Sequence, residues 1–106
     1  MITVKYRKEY NNHSLTVTGH ANYAEFDKDI VCSGASSLVV ALLGWLENNS
    51  EDLVYCDYEV ESGNVRLDVE GGERTAVAFE LTAIGLMQLA DGYPSHVEID
   101  CVGLAD

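Results

Sequence analysis

Twice along this chain a pair of short segments alternates apolar with polar residues, and each time the alternation gives way to apolar residues at three- and four-residue spacing. A period of two puts successive side chains on opposite faces of a strand, whereas a period near 3.6 gathers them on one stripe of a helix. The order of these switches limits the available architectures more than any other property of the chain. From Ile2 to Glu9, the residues Ile2, Val4 and Tyr6 alternate with Thr3, Lys5 and Arg7. After the turn signal Asn11-Asn12, Leu15 and Val17 alternate again between Ser14 and Thr18. These two segments predict a β-hairpin that ends at Gly19-His20. Leu38, Val39, Leu42, Leu43, Trp45 and Leu46 then recur at helical spacing, until Asn48-Asn49-Ser50 ends the helix.

The second cycle repeats the first. Leu53 to Val60 and Asn64 to Glu70 flank Glu61-Ser62-Gly63, and Val65, Leu67 and Val69 alternate with Arg66, Asp68 and Glu70, which predicts a second hairpin. Gly71-Gly72 breaks the chain before a helix from about Glu73 to Ala90. Its apolar positions form two sets, Val77, Leu81 and Ile84, and Phe79, Ala83, Leu86, Met87 and Ala90. Gly92 fits the left-handed residue that follows a helix, and Pro94 the stop. His96 to Val102 reads as a last strand. The predicted order is therefore β-β-α-β-β-α-β, a two-layer α+β fold with a mainly antiparallel sheet and both helices on one face. No linker, repeat or low-complexity segment interrupts it, so residues 1–106 read as a single domain.

Length and composition fit that expectation. A chain of 106 residues, 47% hydrophobic and 23% charged, can bury a core without disulfide or metal staples. No uninterrupted apolar run reaches the roughly 20 residues that span a bilayer, and the opening Met-Ile-Thr-Val-Lys-Tyr lacks a signal-peptide pattern. The expected location is the cytoplasm, with no membrane partner. Eighteen acidic residues against six basic ones give a net charge of −12. Such a surface repels phosphate backbones, which argues against direct nucleic-acid binding, and it suits a basic peptide or protein tail. The same charge also serves solubility. Three cysteines are an odd number, so no disulfide framework is expected. Cys56 and Cys101, in strand-like stretches, are expected to pack as small buried hydrophobes.

Cys32 differs by its position. Asp29 is a suitable N-cap for the first helix, and this places Cys32 in the first turn, beside unpaired N–H groups and the positive end of the helix dipole. That environment favours thiolate, which is the nucleophile, and imidazole is its usual proton partner. His20, at the end of the first hairpin, is the candidate base. Asp29 has two candidate parts, as helix cap or as orienter of the His20 imidazole. The N–H groups from Cys32 to Gly34 are candidate oxyanion donors, and the small residues Ser33, Gly34 and Ser36 are candidate substrate contacts. Between His20 and Cys32, residues 21–28 read as a surface loop carrying Tyr23, Phe26 and Asp27. Spacing alone leaves the bland alternative open, a core cysteine near a turn histidine. His13, His20 and Cys32 lack the short paired spacing of zinc ligands, and neither metal nor cofactor is expected.

Gly19-His20-Ala21, the loop with Tyr23 and Glu25, Lys28-Asp29-Ile30-Val31-Cys32 and the small-residue run to Ser36 resemble the ribosomal-processing cysteine protease family, Prp. Gly85, Ala90 and Tyr93-Pro94 before an alternating strand are also similar to that family. The resemblance implies a cysteine endopeptidase with Cys32 as nucleophile and His20 as base, then acid. It implies removal of an N-terminal extension from large-subunit ribosomal protein number twenty-seven, with cleavage after a pair of aromatic residues. It also implies a homodimer, and a substrate loop that includes Tyr23, Phe26 and Asp27. The chain departs from the family in two places. Asp27 stands where glycine is usual and adds negative charge near the thiol, and Cys32-Ser33-Gly34-Ala35-Ser36 replaces the usual Cys-Ala-Ala-Val-Ser. The competing reading is a non-catalytic or divergent relative whose acidic surface holds a basic ribosomal or phage protein.

Overall fold

The computed structural model of the protein describes residues 1–21, 24 and 29–103. Strands β1 (Ile2–Glu9) and β2 (Asn12–Thr18) form the first hairpin, followed by helix α1 (Ile30–Asn48) and a short 3₁₀ turn at Ser50–Asp52. Strands β3 (Leu53–Glu61) and β4 (Asn64–Gly71) form the second hairpin, followed by α2 (Glu73–Gly92) and β5 (Val97–Val102). The expected order of elements is present. The first turn falls at Tyr10-Asn11, ahead of the expected Asn11-Asn12, because Asn12 already pairs with Glu9 and Tyr10 takes the left-handed backbone (φ 56°).

The five strands lie in the order β3-β4-β2-β1-β5. All neighbours are antiparallel except β1 and β5, which run parallel with Ile2 opposite Val97. Register aligns Val4, Val17 and Val65 in one row and Tyr6, Leu15 and Leu67 in the next. These rows face the helices. Val31, Ala35, Val39, Leu42 and Leu46 of α1 and Phe79, Ala83 and Leu86 of α2 close over them as one buried cluster. Each such side chain is worth about 1.5–3 kcal/mol of transfer free energy, so the cluster decides which faces turn inward. The opposite face of the sheet carries the alternating polar residues, including ion pairs of Arg7 with Asp100 and of Arg66 with Asp57, Glu59 and Asp68.

α1 is 19 residues long and apolar enough in composition to cross a membrane, although no unbroken apolar run in it suggests so. In this fold its buried stripe lies on the sheet, as the core helix of a two-layer protein does. α2 buries only the set containing Phe79, Ala83 and Leu86, while Val77, Leu81, Ile84 and Met87 remain exposed. It does not end on a left-handed glycine as expected. Gly92 is its last helical residue, and the cap Tyr93 (φ −135°) donates its N–H to the Leu89 carbonyl at 2.9 Å. Its start is capped from a distance. Gly72 has no side chain for the task, and the Asp52 carboxylate accepts from the Thr75 N–H (2.8 Å) and hydroxyl (2.6 Å) instead. Cys56 also corrects an expectation, being exposed rather than packed, because the edge strand β3 lies beyond the cover of the helices.

Candidate active site

The end of β2, the start of α1 and the β3–β4 turn meet at one rim of the sheet and enclose a cavity of about 460 Å³. Cys32 and His20 both line it, with Ser33 and Ser36 beside them and Val17, Val39, Val40, Leu43, Val60 and Val65 farther along. The mouth is polar and nucleophilic, and the interior is apolar. Helix geometry explains which small residues take part. Residues 32, 33 and 36 fall on the cavity side of the first turns of α1, whereas Gly34 turns towards α2, where an added Cβ would lie 3.3 Å from a Leu89 methyl. Gly34 therefore serves helix approach and does not line the cavity.

Asp29 precedes α1 with extended backbone and is 4% exposed. Its Oδ1 accepts from the Val31 and Cys32 N–H groups, each at 3.0 Å, and its carbonyl accepts from Ser33 N–H at 3.0 Å. This is an N-cap, and it fixes the phase at which Cys32 leaves the helix. It also corrects the expected oxyanion donors. The Cys32 and Ser33 N–H groups are occupied by Asp29, because the capping carboxylate is already the anion at this helix start.

A different N–H reaches the sulfur. Ala21, buried to 1% exposure, donates its backbone N–H to Cys32 Sγ at 3.2 Å. His20 is thus adjacent in sequence to the group that touches the thiol. Its own imidazole lies over the β3–β4 turn, so close to Gly63 that a Cβ there would sit 2.6 Å from Nε2. Gly63 also has φ +73°, so two demands at this position select glycine. The Gly63 carbonyl accepts from Gly19 N–H at 2.9 Å, tying the turn to the end of β2. Among the hydrogen bonds of the described residues, none joins the imidazole of His20 to the thiol of Cys32 directly. The structure brings the pair into one cavity and leaves the ring parked on glycine.

Two further residues enter the site that motif and spacing did not single out. His96, just before β5, shares a hydrogen bond between Nδ1 and the Ala21 carbonyl at 2.8 Å, and Gly63 forms the seat of the imidazole. Neither has a local signal, since each is brought in by strand pairing. Tyr23, Phe26 and Asp27, expected to form the substrate loop, lie outside the described residues.

The sequence pattern of the family described as cysteine protease Prp matches residues 1–98. The ribosomal processing cysteine protease Prp of Mycoplasma pneumoniae is 31% identical over 90 residues, which cover 85% of this chain and 88% of that one. The Prp of Mycoplasma genitalium is 28% identical over 86 residues, covering 81% and 85%. The crystal structure of the essential ribosomal processing protease Prp from S. aureus with a covalently linked product peptide superposes with a TM-score of 0.79. It spans 95% of this chain and 99% of that one at 17% identity, a likeness of fold. With a pattern that runs through both hairpins and both helices, and a relative above 30% identity along most of its length, the chain belongs to the cysteine protease Prp family and is a cysteine protease.

Proposed function

We propose that the protein is a cytoplasmic endopeptidase that removes an N-terminal extension from a basic ribosomal protein, large-subunit protein number twenty-seven, by a Cys32–His20 dyad. One observation carries the reading: the cysteine in the first turn of α1 and the histidine two residues past β2 line the same apolar-walled cavity. His20 turns from its seat on Gly63 and takes the thiol proton as sulfur attacks the scissile carbonyl. It then passes that proton to the departing amine, leaving an acyl thioester. Water attacks the thioester, His20 receives its proton, and the thiol is restored. Val17, Val39, Val40 and Leu43 offer an apolar wall to the aromatic pair before the cleaved bond, and Ser33 and Ser36 offer hydroxyls at the mouth. The relatives named for ribosomal processing and the S. aureus enzyme held with a product peptide support this substrate class.

The shared core of both helices and the sheet supports residues 1–106 as one protease domain. The exposed apolar stripe of Val77, Leu81 and Ile84 on α2 supports a homodimer. The test is a peptide carrying Phe-Phe followed by small and basic residues, with turnover followed by mass spectrometry. Cys32→Ala and His20→Ala are each expected to lose at least about 1,000-fold in kcat. Iodoacetamide is expected to label Cys32 faster than Cys56 at neutral pH. Unchanged cleavage by Cys32→Ala would sink the nucleophile, and equal labelling of the two thiols would favour the non-catalytic binding module.

A further inference from the structure

Four hydrogen bonds converge on the backbone from Gly19 to Ala21. Gly19 N–H is held by Gly63 O (2.9 Å), and the His20 carbonyl accepts from the Met1 amino group (2.6 Å). The Ala21 carbonyl meets His96 Nδ1 (2.8 Å), while the Ala21 N–H points at Cys32 Sγ (3.2 Å). Three of these hold the segment in place, and the fourth is directed at the reacting atom. Because a carbonyl oxygen only accepts, Nδ1 of His96 carries the proton in this bond, in either the neutral Nδ1–H tautomer or the imidazolium. His96 is itself fixed, since its N–H donates to Tyr93 O (2.9 Å) and its carbonyl accepts from Ile2 N–H (2.9 Å).

We propose that His96 is a positioning residue for catalysis: by holding the Ala21 carbonyl it keeps the Ala21 N–H aimed at the sulfur and at the substrate oxygen that becomes negative beside it. The inference rests on Cys32 being the nucleophile. The chemistry follows from the cap on α1. An acyl transfer needs a donor for the oxyanion, and the Cys32 and Ser33 N–H groups belong to Asp29. Ala21 N–H is the backbone donor already within hydrogen-bond reach of sulfur. When sulfur bonds to the scissile carbon, the carbonyl oxygen is one bond from that carbon and comes within reach of the same donor after a small shift. A donor that is aimed before the reaction costs no reorganisation during it, so loss of its anchor lowers kcat more than it raises KM.

The experiment compares kcat and KM on the Phe-Phe peptide for wild type, Cys32→Ala, His96→Ala, His96→Asn and His96→Gln, with melting temperatures as folding controls. Asn places its amide nitrogen near the position of Nδ1, whereas Gln reaches towards that of Nε2. His96→Ala is expected to lower kcat by about 10- to 100-fold, less than the roughly 100- to 1,000-fold of an oxyanion donor removed outright because the donor itself remains, with KM within about twofold. His96→Asn is expected to regain most of that loss and His96→Gln little of it. Wild-type kcat in a folded His96→Ala, or equal activity of all three variants, overturns the proposal. Activity retained by Cys32→Ala overturns the nucleophile assignment instead. Where wild type does not cut the peptide, the alkylation rate of Cys32 by iodoacetamide decides: a severalfold fall in His96→Ala restored by His96→Asn supports the proposal, and identical rates overturn it.

Discussion

His13 is held well below its ordinary titration. Its ring is 2% exposed, stacks on Phe79 with centroids 4.6 Å apart, and meets the Tyr6 hydroxyl through Nδ1 at 2.7 Å, while Nε2 has no hydrogen-bond partner among the described residues. Burial, and after it the Lys8 cation, pushes the imidazole down from 6.5 to about 4. Above pH 6.5 the folded and unfolded chains both hold a neutral ring, and the full stability is present. As pH falls from 6.5 towards 4 the unfolded chain binds a proton that the fold excludes, and about 3 kcal/mol is lost. Urea unfolding at pH 7 and pH 4.5 is expected to show that loss in wild type and a smaller one in His13→Leu; equal losses would refute it. Residue chemistry in the site was partly legible. Cys32, His20 and the cap Asp29 announce themselves by type and position, whereas Gly63 and His96 owe their roles to neighbours distant in sequence, Ala21 and His96 being 75 residues apart.

At the scale of elements, the switch between periods two and 3.6 located all five strands and both helices. It could not tell which apolar residues would be covered. α2 has two apolar stripes, and only the partner surface selects the one with Phe79 and Leu86. β3 alternates well enough, yet its residues are almost all exposed because pairing with β4 leaves it at the edge. Gly71-Gly72 marks the start of α2 in the sequence, but the side chain that completes it comes from Asp52, which no local cap pattern reveals. Hydrogen bonds from Thr75 hold the Asp52 carboxyl below its ordinary range, with Gly72 N–H and the Arg74 cation adding to them against the opposing effect of burial. Its contribution is therefore present above the usual carboxylate range and is lost as pH falls below it. Asp52→Ala is expected to lower the melting temperature at pH 7 by a few degrees, and the difference from wild type is expected to shrink at low pH. Calorimetry at two pH values measures both, and a variant as stable as wild type at pH 7 would exclude the remote cap.

Across the whole molecule, a net charge of −12 sets how partners arrive. Among the described residues no lysine or arginine lines the cavity and Glu61 does, so a cationic peptide is drawn towards the mouth and a phosphate backbone is repelled. Raising ionic strength from about 0.05 M to 0.5 M shortens the screening length to a few ångströms. Over that range kcat/KM for a lysine-bearing substrate is expected to fall severalfold, while an uncharged analogue stays nearly constant; parallel behaviour of the two would remove charge from substrate capture. Sheet order was the least legible property at this scale, since periodicity describes segments and says nothing of which edge each one joins. The parallel seam between β1 and β5 has a temporal side. It joins segments whose ion pair, Arg7 with Asp100, links residues 93 apart, and such contacts form late because their loop-closure entropy comes first. His96 enters the rim with that seam. A chain still being synthesised holds Cys32 and His20 long before it holds His96, so the bond that ties Ala21 to the far end of the chain closes only as the sheet itself is completed.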